Sequence, residues 1–263
     1  MVVADKAVET PPILRGAEAD AERQLRRRRL VEAYRLFGRL GYSEGTAGHL
    51  TVRDPEEPEH FWAAPYGMHF SQVCLGDLVL TDVAGNLYHG NRPAHPAALP
   101  FHGIVHSRRP DVVAAAHAHS DYGRAMAALG RRILAITQDA CAFSSDTAYL
   151  DSYAGVVLDE AQGAQIGDAL GSHKAILLRS HGIFTVGGSV EEMAWWFLSL
   201  EKVCKVQLAA EAVGVPEEIP EPVRSETEAL VGSPSAALVN ARPMFEWIAS
   251  VEPDMYTERK QTQ

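Results

Sequence analysis

The chain has 263 residues, 46% of them apolar, which is enough to bury one full core and requires no second domain. Its formal net charge of -10 disfavours general binding to nucleic acid or to an anionic membrane, since both repel an acidic surface. No apolar run approaches the ~18 residues a membrane span needs, and residues 1–12 lack the basic start and apolar core of a signal peptide, so the expectation is a soluble cytoplasmic protein.

Residues 1–20 are polar and without period, and read as a mobile tail. Over 21–40, Leu30, Ala33, Tyr34, Phe37 and Leu40 recur at helical spacing and predict an amphipathic helix that stops near Gly38 and Gly41. Arg26, Arg27, Arg28 and Arg29 fall on it and read as a solvated or subunit-facing surface rather than a binding patch. Residues 49–53 and 60–64 predict short strands around the turn-rich DPEEPE; 77–82 predicts another, ending at Ala84-Gly85-Asn86 before Leu87-Tyr88 resumes. A helix over 97–107 stops ahead of Pro110, because the residue before a proline avoids helical angles. A buried strand over 112–119 and a helix over 121–129 follow. Strand-like pieces at 133–136 and 155–158 surround an irregular loop rich in Ser and Asp, and a helix covers 159–170. Strands at 175–179 and 183–186 flank a glycine turn, and a long helix spans 190–212.

After Val213 the composition shifts to Pro, Glu and Ser, so 214–263 reads as a wrapping C-terminal arm whose apolar segment 243–248 docks as a short helix. Residues 21–213 then form one α/β domain between tail and arm. Cys74, Cys141 and Cys204 are odd in number and far apart, which argues against a disulfide framework and fits a reducing compartment.

The chemistry-bearing pattern is VVAAAHAHS. His117 and His119 stand two apart on a strand, so both rings project from one face and suit two bonds to one ion. His181, in LLRSHG at the end of another strand, precedes a glycine that lets the chain turn and leave the ring exposed. Three neutral imidazoles suit Zn, Fe(II), Co or Mn better than Mg or Ca, which want oxygen ligands. Spacing alone leaves ordinary packed histidines open as the alternative.

Four segments taken together resemble the class II aldolase/adducin family: EGTAGHLTVRDP (44–55), FWAAPYGMHFSQ (61–72), HGIVHSRRPDVVAAAHAHS (102–120) and the stretch 174–207 around LLRSHGIFTVGG. They follow in the right order over most of 25–212, and are more similar to the adducin-like branch than to the sugar-phosphate aldolases. The resemblance implies a three-layer α/β/α fold with a central, mostly antiparallel sheet, and a homotetramer with active sites between subunits. It also implies a divalent metal, Fe(II) or Zn(II), held by His117, His119 and His181. It extends to the branch holding the non-haem iron oxygenase/decarboxylases of aminocoumarin biosynthesis, which act on prenylated aromatic keto or hydroxy acids.

Departures from the aldolase pattern redirect the chemistry. Sugar-phosphate members carry an acid where this chain has Ala98, a tyrosine where it offers Thr137 and Gln138, and an asparagine where it has His49. Alanine cannot transfer a proton, so the expectation moves from phosphosugar cleavage to a substrate that itself chelates the metal, such as an α-keto or α-hydroxy acid. With Fe(II), open positions on the ion would admit dioxygen. Asp139 and Asp146 are candidates for an additional carboxylate, against the alternative of turn formers.

Tyr122 and Gln138 stand as candidate catalytic residues, and His49, Tyr66, His102, Arg179 and Trp247 as candidate substrate contacts. For Trp62, Tyr66, Phe70, Phe143 and Trp247 the alternative is core or interface packing, for His102, which also reads as standing behind a metal ligand, an ordinary packed histidine, for Tyr122 a helix-surface role, and for Arg179 a structural ion pair. Three function classes remain: a decarboxylating oxygenase, an aldolase-type lyase or epimerase, and a non-catalytic adducin-like interaction protein. The chain ends at Gln263 without the polybasic tail of adducins.

Overall fold

A computed structural model of the chain describes residues 10–157 and 159–258. Eight strands form one sheet: β1 (His49–Arg53), β2 (Phe61–Ala63), β3 (Val79–Thr81), β4 (Leu87–His89), β5 (Ala114–Ala118), β6 (Thr147–Leu150), β7 (Ala175–Leu178) and β8 (Gly182–Gly187). Their spatial order is β4-β3-β2-β1-β5-β8-β7-β6, and every pairing is antiparallel except β6 with β7. Seven α-helices accompany them among the described residues: α1 (Gly16–Arg39), α2 (Ala98–Arg108), α3 (Asp121–Leu129), α4 (Glu160–Leu170), α5 (Val190–Glu211), α6 (Val223–Val231) and α7 (Pro234–Val251).

The sheet is covered on both faces, which is why β1, β5, β7 and β8 are buried along their whole length. Alternation still decides which side each residue serves. Leu50, Val52, Ala114, Ala116 and Ile183 pack with α1, α5 and α7 in the larger core. Ala115, Ile176, Phe184 and Val186 face α2 and α4 in the smaller one. Strand register sets His117 beside His49 on one side and Phe184 on the other. Both histidines therefore belong to the α2 face.

Helix α1 begins earlier than the periodicity suggests, so part of the expected tail is helical; residues 1–9 of that tail lie outside the described residues. Of its four consecutive arginines only Arg28 is exposed, so they are not a solvated surface as a group. Arg26 and Arg27 are buried: Arg26 donates to the Arg53 carbonyl (2.9 Å), and Arg27 donates to the Leu75 carbonyl (3.1 Å) while lying over the Trp62 ring. Arg28 lies over Tyr256, and Arg29 pairs with Glu32 and Glu191. The guanidinium fork satisfies backbone carbonyls that the helix itself cannot reach.

Residues 133–136 form no strand. Side chains bind their backbone instead: Tyr149 Oη accepts from Ile133 N–H (2.8 Å) and Gln207 from Leu134 N–H (3.0 Å). The outer strand β6 forms inside the stretch expected to be irregular, where pairing with β7 supplies its ladder. The expected piece at 155–158 shows no strand in 155–157, and Leu158 lies outside the described residues. The C-terminal arm holds two helices rather than one short one. Ala237, Ala241, Phe245 and Ile248 of α7 are buried against α1 and α5, so the arm is part of the main core.

Candidate metal centre

His117 lies on β5, His119 just past its end, and His181 in the turn from β7 to β8. The turn needs unusual backbone: Ser180 sits at φ 55 and Gly182 at φ 151, a conformation open to glycine. The three rings converge, with centroids 4.5 Å apart for His117 and His181, 5.3 Å for His117 and His119, and 5.4 Å for His119 and His181. One nitrogen from each lies within 4.8 Å of the others.

Hydrogen bonding tests whether that triangle fits an ion. His117 Nδ1 donates to the Ile183 carbonyl at 2.9 Å, which fixes its tautomer and leaves an unshared pair on Nε2. Nε2 is buried with no hydrogen-bond partner. An orphaned buried acceptor beside two further imidazoles is what a metal ligand looks like before the metal is considered. Burial depresses all three pKa values, with neighbouring imidazoles adding to it for His117 and His181: His117 falls well below the ordinary range, His181 is pushed down to about 4, and His119 is also lowered. The lone pairs are therefore free at neutral pH.

The segment after His119 is held by a carboxylate from α5. Buried Glu201 accepts from Ser120 Oγ (2.6 Å), Tyr122 N–H (2.9 Å) and Gly123 N–H (2.7 Å), satisfying the free amides at the start of α3. Glu201 lies far along the sequence from His119, so no local pattern discloses the contact.

A cavity of about 520 Å³ opens over the three histidines. His49, Tyr66 and Phe101 contribute to its wall, with His95, Arg124, Tyr153 and Ser180, which the sequence reading did not single out. His95 Nδ1 accepts from Ala97 N–H (3.0 Å) at the entry to α2, and its ring centroid lies 5.0 Å from those of His49 and Tyr66. Arg124 pairs with Glu44 (3.0 Å) and Asp121 (3.1 Å) while keeping access to the cavity. No carboxylate lines the cavity among the described residues. Asp139 stands in a short 3-10 turn and Asp146 faces His173 and Lys174, both away from the wall. Ala98 is wholly buried; its neighbour Ala97 contributes the apolar wall.

Other expected site residues lie elsewhere. His102 is fully buried behind His49 and does not reach the cavity. Tyr122 is on the exposed side of α3 with Lys205 over its ring, and Gln138 precedes the 3-10 turn at 139–142. Arg179 lines a small adjoining pocket of about 30 Å³ that shares Tyr153 and His181 with the main cavity. Trp247 is exposed on α7, across the sheet from the α2 face.

A family model described as "Class II Aldolase and Adducin N-terminal domain" matches residues 28–208. The chain belongs to the class II aldolase/adducin family. Within this family it is 39% identical over 255 residues to "Decarboxylase NovR" of Streptomyces niveus, covering 96% of this chain and 94% of that protein. It is 40% identical over 225 residues to "4-hydroxy-3-prenylphenylpyruvate oxygenase/4-hydroxy-3-prenylbenzoate synthase" of Streptomyces roseochromogenus subsp. oscitans, covering 85% and 81%. Among solved structures it resembles "L-fuculose 1-phosphate aldolase from Glaciozyma antarctica PI12", with a TM-score of 0.85, 37% identity and coverage of 94% and 96%. These class II aldolase/adducin relatives are enzymes, and so is this chain. No described helix is long and apolar enough to cross a membrane.

Proposed function

We propose that the chain holds one divalent ion on His117, His119 and His181 and cleaves a carbon-carbon bond of a small, metal-chelating keto or hydroxy acid. The reaction is oxidative decarboxylation with Fe(II) and dioxygen. One observation carries this reading: a cavity wall with three convergent imidazoles and no carboxylate among the described residues. Such a site has no carboxylic acid for a retro-aldol proton transfer, and leaves substrate oxygens as the natural additional ligands. An ion bound there supplies Lewis acidity, and as Fe(II) one-electron chemistry.

The remaining residues bind and orient. Arg124 offers a guanidinium to the substrate carboxylate, since it reaches the cavity with a cation that two exposed acids only partly satisfy. Tyr66, Phe101 and Tyr153 give an apolar, aromatic wall suited to a ring-bearing acid. The name of the Streptomyces roseochromogenus relative supports an aromatic 2-keto acid and oxygen as substrates, and that of the Streptomyces niveus relative supports decarboxylation.

The test is oxygen uptake by Fe(II)-reconstituted protein supplied with aromatic 2-keto acids, with carbon dioxide measured in parallel. Uptake matched by carbon dioxide is expected. A zinc protein that releases an aldehyde with no oxygen consumed would replace this reading by an aldolase-type lyase, which the similarity to the Glaciozyma aldolase supports.

A further inference from the structure

Behind the cavity wall runs a chain of hydrogen bonds that metal ligation does not use. His49 Nδ1 lies 2.6 Å from His102 Nε2, His102 Nδ1 lies 2.7 Å from Thr51 Oγ1, and Thr51 Oγ1 lies 2.9 Å from His106 Nε2. At the far end His106 Nδ1 faces the Val112 carbonyl at 3.4 Å. All four side chains are buried. No carboxylate forms an ion pair with any of the three rings among the described residues, so an imidazolium here would be an uncompensated buried charge. Each ring therefore carries one proton.

The direction of the chain follows from its end. A carbonyl only accepts, so the His106 proton sits on Nδ1, and Nε2 accepts from the Thr51 hydroxyl. Having given its one hydrogen, Thr51 Oγ1 accepts from His102 Nδ1–H, and His102 Nε2 accepts from His49 Nδ1–H. What remains is an unshared pair on His49 Nε2, and His49 lines the cavity. The reverse order would set a bare His106 Nδ1 against the Val112 carbonyl, which already accepts from Arg53 Nε–H at 3.0 Å, and leave that buried nitrogen without a donor.

We propose that Thr51 and His106 are positioning residues that lock His49 in its Nδ1–H form, so that the cavity presents a hydrogen-bond acceptor there and selects a substrate carrying a hydroxyl at that point. The selection of a hydroxyl rests on the function proposed above, in which the cavity binds the substrate; the tautomer does not. A 2-hydroxy acid and a phenol both supply such an O–H group.

Long-range proton-nitrogen spectra of the metal-free protein labelled with nitrogen-15 histidine read the tautomer directly. The wild type is expected to show His49 protonated on Nδ1 and unprotonated on Nε2, whatever any variant does. Thr51→Val is expected to abolish that preference and Thr51→Ser to keep it. A His49 proton on Nε2 in the wild type, or an unchanged pattern in Thr51→Val, would overturn the proposal. Binding then tests the selection on zinc-loaded protein, with mandelate against its O-methyl ether and 4-hydroxyphenylacetate against 4-methoxyphenylacetate. One pair is expected to differ by about tenfold in Kd, the worth of one hydrogen bond to a buried acceptor. The pair that differs identifies the hydroxyl as aliphatic or phenolic. The difference should vanish in Thr51→Val and return in Thr51→Ser. Equal affinity within both pairs, or a zinc-induced shift of His49 Nε2 into the coordinated range, would overturn the selection while leaving metal binding by the other three histidines intact.

Discussion

Three imidazoles brought within contact of one another gain nothing by it unless their lone pairs are used, and His117 Nε2 has no protein partner to use its own. The spacing of His117 and His119 was readable because a strand has a period of two, and His181 because a glycine follows it. His95, Arg124 and Ser180 were not, since they reach the cavity from a loop, a helix and a turn whose approach only the packed sheet decides. Arg124 carries the prediction at this scale. Arg124→Ala is expected to raise KM for an aromatic 2-keto acid about tenfold, as for the loss of one charge-assisted hydrogen bond, with metal content unchanged. An unchanged KM would show that the carboxylate is held elsewhere.

Elements were legible where one face alone repeats. Helix α3 falls on its expected bounds, closed by Gly130 in the left-handed conformation, and α2, α4, α5 and most strands lie within a residue or two of expectation. Strand β6 escaped because four residues between polar turns carry little period and owe their order to a parallel neighbour. Helix α7 was underestimated because Pro243 and the polar stretch before it mimic a loop, while its buried stripe works only against α1 and α5. Phe245→Ala is expected to destabilise the fold by about 3–5 kcal/mol, as for other buried phenylalanines, read as a lowered denaturant midpoint. A change under about 1 kcal/mol would mean that α7 is an appendage rather than core.

At the scale of the whole molecule, the buried histidines make folding depend on pH. Burial holds His49, His102 and His117 well below the ordinary value of 6.5 and pushes His106 down to about 3. Below about 6.5 the unfolded chain binds protons that the folded chain refuses, so stability falls with falling pH. Each such group contributes a slope of about 1.4 kcal/mol per pH unit until its own folded value is reached. The Tm of metal-free protein should therefore drop steeply from about pH 7 to about pH 5, by more than one histidine explains. A flat profile would mean that these rings are solvated or already paired.

Assembly belongs to the same scale. The family resemblance implies a homotetramer, and Leu230, Val239 and Trp247 are apolar residues exposed on α6 and α7. Light scattering on the eluting protein should give four times the 28.6 kDa chain mass; a monomer would contradict it.

Whether His117, His119 and His181 hold an ion is measured most directly by the metal content of anaerobically purified protein. One divalent ion per chain is predicted for the wild type, and none for His119→Ala with an unchanged circular dichroism spectrum. A wild type without metal, or His119→Ala with a full complement, would contradict the three-histidine centre.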